Sequence, residues 1–178
     1  FHCASDVELF CKFVQGRAEV WPLVETVAAM NAINEVARVK GVTAIHIGLN
    51  DLHLELGYKF MFQVLTDGLV DKMAKKLNEI KMPFGIGGIA RVGEGLLPAE
   101  AIINEHVRLG STAAILSRTF HRNVISVDEL KLNMNFSEEI NKILQAEDNA
   151  RKRSNEQIEI DRLDVVQRVA NVVRVLTK

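Results

Sequence analysis

The chain has 178 residues, 48% of them hydrophobic and 25% charged, with a formal net charge of −1. That balance describes a folded globular chain and excludes the strongly basic surface used to bind nucleic acid or an acidic membrane. No apolar run approaches the ~20 residues a membrane helix needs, no secretory signal pattern opens the chain, and Cys3 and Cys11 have neither disulfide-framework nor metal-ligand spacing, as suits a reducing cytoplasm.

In chain order, Cys3 and Cys11 fall on one short opening helix. Residues 20–24 (VWPLV) are short, apolar and β-rich, and the run stops at Glu25. A helical pattern follows, with Ala29, Ile33, Val36 and Ala37 at helical spacing, ending near Gly41. Residues 42–47 (VTAIHI) are a second predicted strand, closed by Gly48, Leu49, Asn50 and Asp51. One long helix is predicted over 60–80, with Val64, Leu65, Leu69, Met73 and Leu77 as its apolar stripe. Residues 83–86 (PFGI) form a third strand running into Gly87 and Gly88. Pro98 fits the first position of the next helix, which stops at Leu109 and Gly110. The fourth strand is 112–116 (TAAIL), ending at Ser117 and Arg118.

Four βα units with uniformly apolar strands predict a parallel sheet buried on both faces, either doubly wound or part of a (β/α)8 barrel. Polar residues at or just after the strand C-terminal ends are Glu25, Asp51, Arg91 and Arg118, where both architectures build their sites. From Ser126 the composition turns to lysine, glutamate, asparagine and arginine. Three helices are predicted there, over 127–132, 136–153 and 157–176, the last with Ile160, Leu163, Val166, Val169, Ala170 and Val173 on one face. The expected organisation is a barrel-like part over 1–125 and a helical extension over 126–178 that packs on the barrel or on a neighbouring subunit, as in a homo-oligomer.

A carboxylate ending an apolar strand is costly to bury unpaired, and Glu25 and Asp51 end successive strands. Adjacent parallel strands lie ~4.8 Å apart, so two such carboxylates can converge on one cation, and oxygen ligation with room for waters suits Mg²⁺ or Mn²⁺. Taken singly, each could instead cap the helix that follows or pair with a lysine.

Val24-Glu25-Thr26 followed by a helix, then Gly41-Val42 through Ile47-Gly48-Leu49-Asn50-Asp51-Leu52 and Leu56-Gly57, resembles the HpcH/HpaI aldolase and citrate lyase β-subunit family. The resemblance spans residues 20–120. It implies the C-terminal half of a (β/α)8 barrel, with Glu25 and Asp51 holding a divalent metal that chelates a 2-keto acid and stabilises the enolate formed on carbon–carbon cleavage. It also implies that backbone around Gly48 and Asn50 lines a carboxylate pocket. Two positions depart from the family pattern. Leu49 stands where most members have proline, and Leu23 stands where the aldolase branch has a substrate-contacting glutamine. The family's arginine and histidine base belong to the first half of the barrel, so the catalytic groups are expected outside these residues. A complete barrel takes about 200 to 250 residues and eight strands, and this chain is therefore expected to be a fragment of one.

Further polar groups have weaker signals. Gly85 to Ala90 formally matches a dinucleotide-binding glycine pattern, which leaves a nicotinamide-dependent oxidoreductase as an alternative beside a catalytically silent binding barrel. The same run equally suits a strand end that lets backbone approach a substrate. Arg91 could reach the mouth of the site, and Arg118 could bind a carboxylate or phosphate through both guanidinium nitrogens. His46, mid-strand, reads as a core histidine, His53 and His106 as packing residues, and His121 with Arg122 as part of a loop. The charges of 147–153 read as a solvated helix face.

Overall fold

The computed structural model describes residues 1–121 and 124–177. After helix α1 (Ala4–Val14) the chain builds strands β1 (Leu23–Val24), β2 (Ile45–Ile47), β3 (Phe84–Ile89) and β4 (Ala113–Leu116). They form one sheet in the order β1-β2-β3-β4, parallel throughout. Between them run α2 (Val27–Asn31), α3 (Ile33–Val36), α4 (Leu49–Glu55), α5 (Gln63–Thr66), α6 (Leu69–Glu79) and α7 (Ala99–Leu109). The C-terminal helices are α8 (Val127–Asn133), α9 (Phe136–Arg151) and α10 (Asn155–Leu176).

Register explains how the two faces of the sheet differ. Leu23, His46, Gly85 and Ala113 are aligned across the four strands, and Val24, Ile47 and Ile86 form the next row. Successive side chains alternate faces, so the second row, with Ile45 and Phe84, lies under the helices and is buried. The first row is on the open face. There Leu23 is 39% exposed, and Ile115, two residues beyond Ala113, is 54% exposed. The expectation of burial on both faces therefore holds for one face only.

The strands are shorter than predicted at β1 and β2. Val20 makes only an isolated bridge to Val42, because Pro22 has no N–H to contribute to the ladder and offers only its carbonyl, which accepts from the His46 N–H. At β3 the strand instead runs on through the glycines. The register with β4 slips between Gly85 and Gly88, with Gly87 at φ 41°, a bulge that glycine makes cheap.

The predicted helix over 60–80 is two helices. Asp67 and Gly68 break it: Gly68 sits at φ 85° and the Asp67 carboxylate accepts from the Leu69 N–H. Helix α4 was not predicted at all, although Asp51 in its first turn suits a helix N-terminus. Pro98 is the residue before α7 rather than its first residue, and Gly110 ends that helix in the left-handed conformation, as expected.

The extension packs on the helices outside the sheet, with α9 and α10 against α7. Arg153 joins them: it donates to the Asp161 carboxylate at 2.7 Å and to the Asn104 carbonyl at 2.7 Å. The 147–153 segment is thus not simply a solvated face, since Ala150 is buried and Arg153 is nearly so. The expected stripe on α10 is also displaced. Val165 and Val169 are buried, whereas Ile160 and Leu163 are 53% and 60% exposed. The helix carries apolar residues on two faces, and tertiary packing chose the face that brings Asp161 to Arg153.

Candidate functional site

A cavity of about 540 Å³ opens at the C-terminal ends of the strands, on the open face of the sheet. Every strand or the residues just after it contribute: Leu23 of β1 and Glu25 after it, His46 of β2 and Gly48 after it, Gly87 and Gly88 of β3, Ile115 and Leu116 of β4 with Ser117 and Arg118 after it. Leu49, Asn50 and Asp51, the first turn of α4, complete the wall between β2 and β3. The expected residues Glu25, Asp51, Gly48, Asn50 and Arg118 all line this cavity.

Glu25 follows β1 and Gly48 follows β2, the next strand in the sheet. The Gly48 N–H donates to the Val24 carbonyl at 2.9 Å, which ties the two strand ends at this level. Glu25 does not cap α2. That cap is Thr26, whose hydroxyl accepts from the Ala29 N–H, while Glu55 accepts from the Val27 N–H. Asp51 is the third residue of α4 and makes no capping bond. Glu25 is half-buried and Asp51 exposed, and among the described residues neither carboxylate has an ion-pair partner, so both stay in reach of water at the cavity wall.

Glu25 and Asp51 are the residues of this lining that could hold an oxygen-binding divalent cation. One anionic oxygen donor follows β1 and the other stands in the first turn of the helix after β2, and a β-carbon at Gly48 would crowd the Glu25 Cβ at 3.1 Å. Among the described residues no group of three or more His, Cys, Asp or Glu side chains gathers to hold a metal. The remaining positions on a cation would fall to water or substrate, as hard cations accept.

The Leu49 difference has a structural consequence. Leu49 is the first residue of α4, the position proline favours, and its side chain is buried against Gly87, where a β-carbon would stand 2.9 Å from Leu49 Cδ1. The turn thus gains an apolar anchor, and Asp51 stays in the first turn.

Arg91 does not line this cavity. Its guanidinium pairs with Glu94 at 2.7 Å and borders a separate cleft with Thr119, Phe120 and His121. Arg122 lies outside the described residues. His53 is buried in α4. His106 is buried on α7, bonded through Nδ1 to the Ser111 hydroxyl at 3.0 Å, and its burial holds its pKa down at about 4. The Gly85–Ala90 run lies almost wholly inside β3, and the next helix begins only at Ala99. It therefore lacks the strand–turn–helix geometry that a pyrophosphate cradle requires.

One cavity residue was read from sequence only as a core residue. His46 lines the cavity from the middle of β2, 4% exposed. The signal for it was a histidine among apolar strand residues, on the face that carries Gly48 two residues on.

Comparison with protein-family models and with curated proteins finds no match to this chain. No helix among the described residues is long and apolar enough to cross a membrane.

Proposed function

We propose that these four βα units are the C-terminal half of a (β/α)8 barrel, and that the strand-end cavity is the site of a metal-dependent carbon–carbon lyase acting on a 2-keto acid. The barrel reading is supported by the strand order, which is sequential without a reversal. A doubly wound sheet reverses its order at the ligand crevice. The observation that carries the lyase reading is that Glu25, just after β1, and Asp51, in the first turn of the helix after β2, line one cavity without an ion-pair partner among the described residues.

Glu25 and Asp51 would hold Mg²⁺ or Mn²⁺, which when bound supplies Lewis-acid stabilisation of developing enolate charge. The chain's own groups do the positioning. Gly48 and Asn50 present backbone at the wall beside Asp51, suited to the substrate carboxylate. Arg118, exposed at the rim, suits a second anionic group at the far end of the substrate, and its guanidinium fork matches a carboxylate or phosphate. Leu23, the apolar neighbour of Glu25, favours a second reading in which the cavity binds a keto acid without turnover, because no side-chain donor replaces the glutamine there.

The test is melting of the wild type, Glu25→Gln and Asp51→Asn with and without Mn²⁺. At 100-fold excess over its dissociation constant a ligand stabilises the folded state by about 2.7 kcal/mol, or roughly 5–10 °C in a chain of this size. The wild type is expected to show that rise and both variants to lose it. Equal rises in all three would remove Glu25 and Asp51 as ligands. Cleavage of 4-hydroxy-2-keto acids with Mn²⁺ present separates the lyase from the silent binder.

A further inference from the structure

Helix α10 shows solvent an apolar face that its own chain leaves uncovered. Val165 and Val169 are buried against the rest of the molecule. On the other side Ile160 and Leu163 are more than half exposed and Val166 is 39% exposed, with Ala170 exposed one turn further on. An exposed apolar patch rimmed by polar residues is characteristic of a protein–protein contact.

The charges at the two ends of this face point to its partner. Along α10, Glu159 pairs with Arg162, Asp164 with Arg168 and Asp161 with Arg153. Glu156 and Arg174 are exposed and, among the described residues, have no ion-pair partner. They stand 18 residues apart, about five turns of helix, and so share one side of α10 with Leu163 and Ala170 between them. A second α10 laid antiparallel on this face sets Glu156 against the partner's Arg174 and Arg174 against the partner's Glu156, about one two-fold axis. In that register Ile160 comes level with the partner's Ala170, a large side chain against a small one, and Leu163 with the partner's Gln167. A parallel pair would instead bring like charges together at both ends, which is unfavourable.

We propose that the outer face of α10 is the contact between two copies of this chain, a two-fold antiparallel helix pair closed at each end by Glu156 and Arg174. Burial of Ile160, Leu163 and Val166 supplies the attraction. The exposed ion pairs add little energy and set the direction of the pairing. One helix face is a small interface, which suits a dimer that dissociates on dilution. No residue of α10 lines the strand-end cavity, so the contact stands apart from the lyase reading. Each charge also suits its own helix end, an acid in the first turn and a base in the last. That local role bears on helix stability and not on association, and the two are separable by experiment.

Sedimentation velocity of the 178-residue chain over about 1 µM to 1 mM, the span of weak to moderate affinities, tests it, with circular dichroism to check that each variant is folded. The wild type is expected to pass from monomer to dimer across that range, and Leu163→Asp to stay monomeric. Glu156→Arg and Arg174→Glu each set like charges together at both ends of the pair and should weaken association by about tenfold or more at low salt. An equal mixture of the two variants pairs opposite charges again and should return to within about threefold of the wild type. The double variant carrying both exchanges on one chain should recover likewise. It decides the direction, because a parallel pair would still oppose like charges in it. If the two charges served only their own helix, the double variant would lose the most helix and its association would not recover. A wild type that stays monomeric leaves this face to a different partner and overturns the proposal. Dimerisation unchanged by Leu163→Asp or by both single charge exchanges, or a folded double variant that fails to recover, overturns it as well.

Discussion

Gly48 stands so close to Glu25 that a β-carbon on it would lie 3.1 Å from the Glu25 Cβ. The backbone at 48 has φ −84°, which any residue can adopt, so the requirement for glycine is one of space. Gly48→Ala is therefore expected to fold, with a melting temperature near that of the wild type. It would push Glu25 aside by a few tenths of an ångström and weaken Mn²⁺ binding roughly tenfold, the usual cost of disturbing a ligand's support. Titration with Mn²⁺ read by water-proton relaxation measures this; unchanged affinity would detach Glu25 from the cation.

Arg118 lines the same cavity as the two carboxylates, from just after β4. If it receives a second anionic group, Arg118→Gln should weaken a dicarboxylate such as oxaloacetate about 10- to 100-fold, the scale of a lost charge-assisted bond of roughly 1.5–3 kcal/mol. Pyruvate, with a single carboxylate, should change less than threefold. Calorimetric titration of both acids in the presence of Mg²⁺ makes the comparison, and equal losses would place Arg118 on the shared keto-acid end instead.

The acid limb of stability should carry the signature of His106. Burial lowers its pKa from 6.5 to about 4, with the His46 charge adding in the same direction. A group that binds its proton less readily when folded has no effect above the unfolded value of 6.5. Below it the unfolded chain takes up the proton first, so stability is lost as the pH falls from 6.5 toward 4. At 1.36 kcal/mol per unit the loss amounts to about 3 kcal/mol. Urea unfolding at pH 7.5 and pH 4.5 should show it, and His106→Leu should flatten the slope.

Arg108 ties α7 to α6. It donates to both oxygens of Glu105, at 2.7 Å through Nη2, and to Asp71 at 2.6 Å. Glu105 is 2% exposed, so Arg108→Leu would leave a buried carboxylate without its cation. Breaking one side of such a pair costs roughly 3–5 kcal/mol. A lowered urea midpoint without a changed slope is the expected outcome. Removal of Glu105 together with Arg108 should recover part of the loss.

Much of the architecture was legible along the chain because it depends on local periodicity. Apolar runs of strand length, each followed by a 3.6-residue pattern, predicted four parallel strands and their connecting helices. Ala29, Ile33, Val36 and Ala37 are all buried, as their spacing implied. The end of β1 just before Glu25 was legible for the same reason, since a charge halts an apolar strand, whereas Asp51, expected at the end of the second strand, lies in the first turn of α4, four residues beyond β2. The break at Asp67 and Gly68 was visible as a turn dipeptide but was overridden by the apolar stripe running through it.

What the sequence determined by itself was the order of the elements and which polar residues end them. Tertiary structure decided the rest, because it depends on which atoms meet across the sheet. Periodicity allowed Arg91 and Arg118 the same role, yet Glu94 draws Arg91 into another cleft while Arg118 faces the cavity. It allowed α10 two apolar faces, and the pairing of Arg153 with Asp161 selected one. It read His46 as one more core residue, and only the register with Leu23 and the bare backbone of Gly85 put its ring beside the cavity. Side-chain direction is set by neighbours distant in sequence, and a one-dimensional pattern carries no record of them.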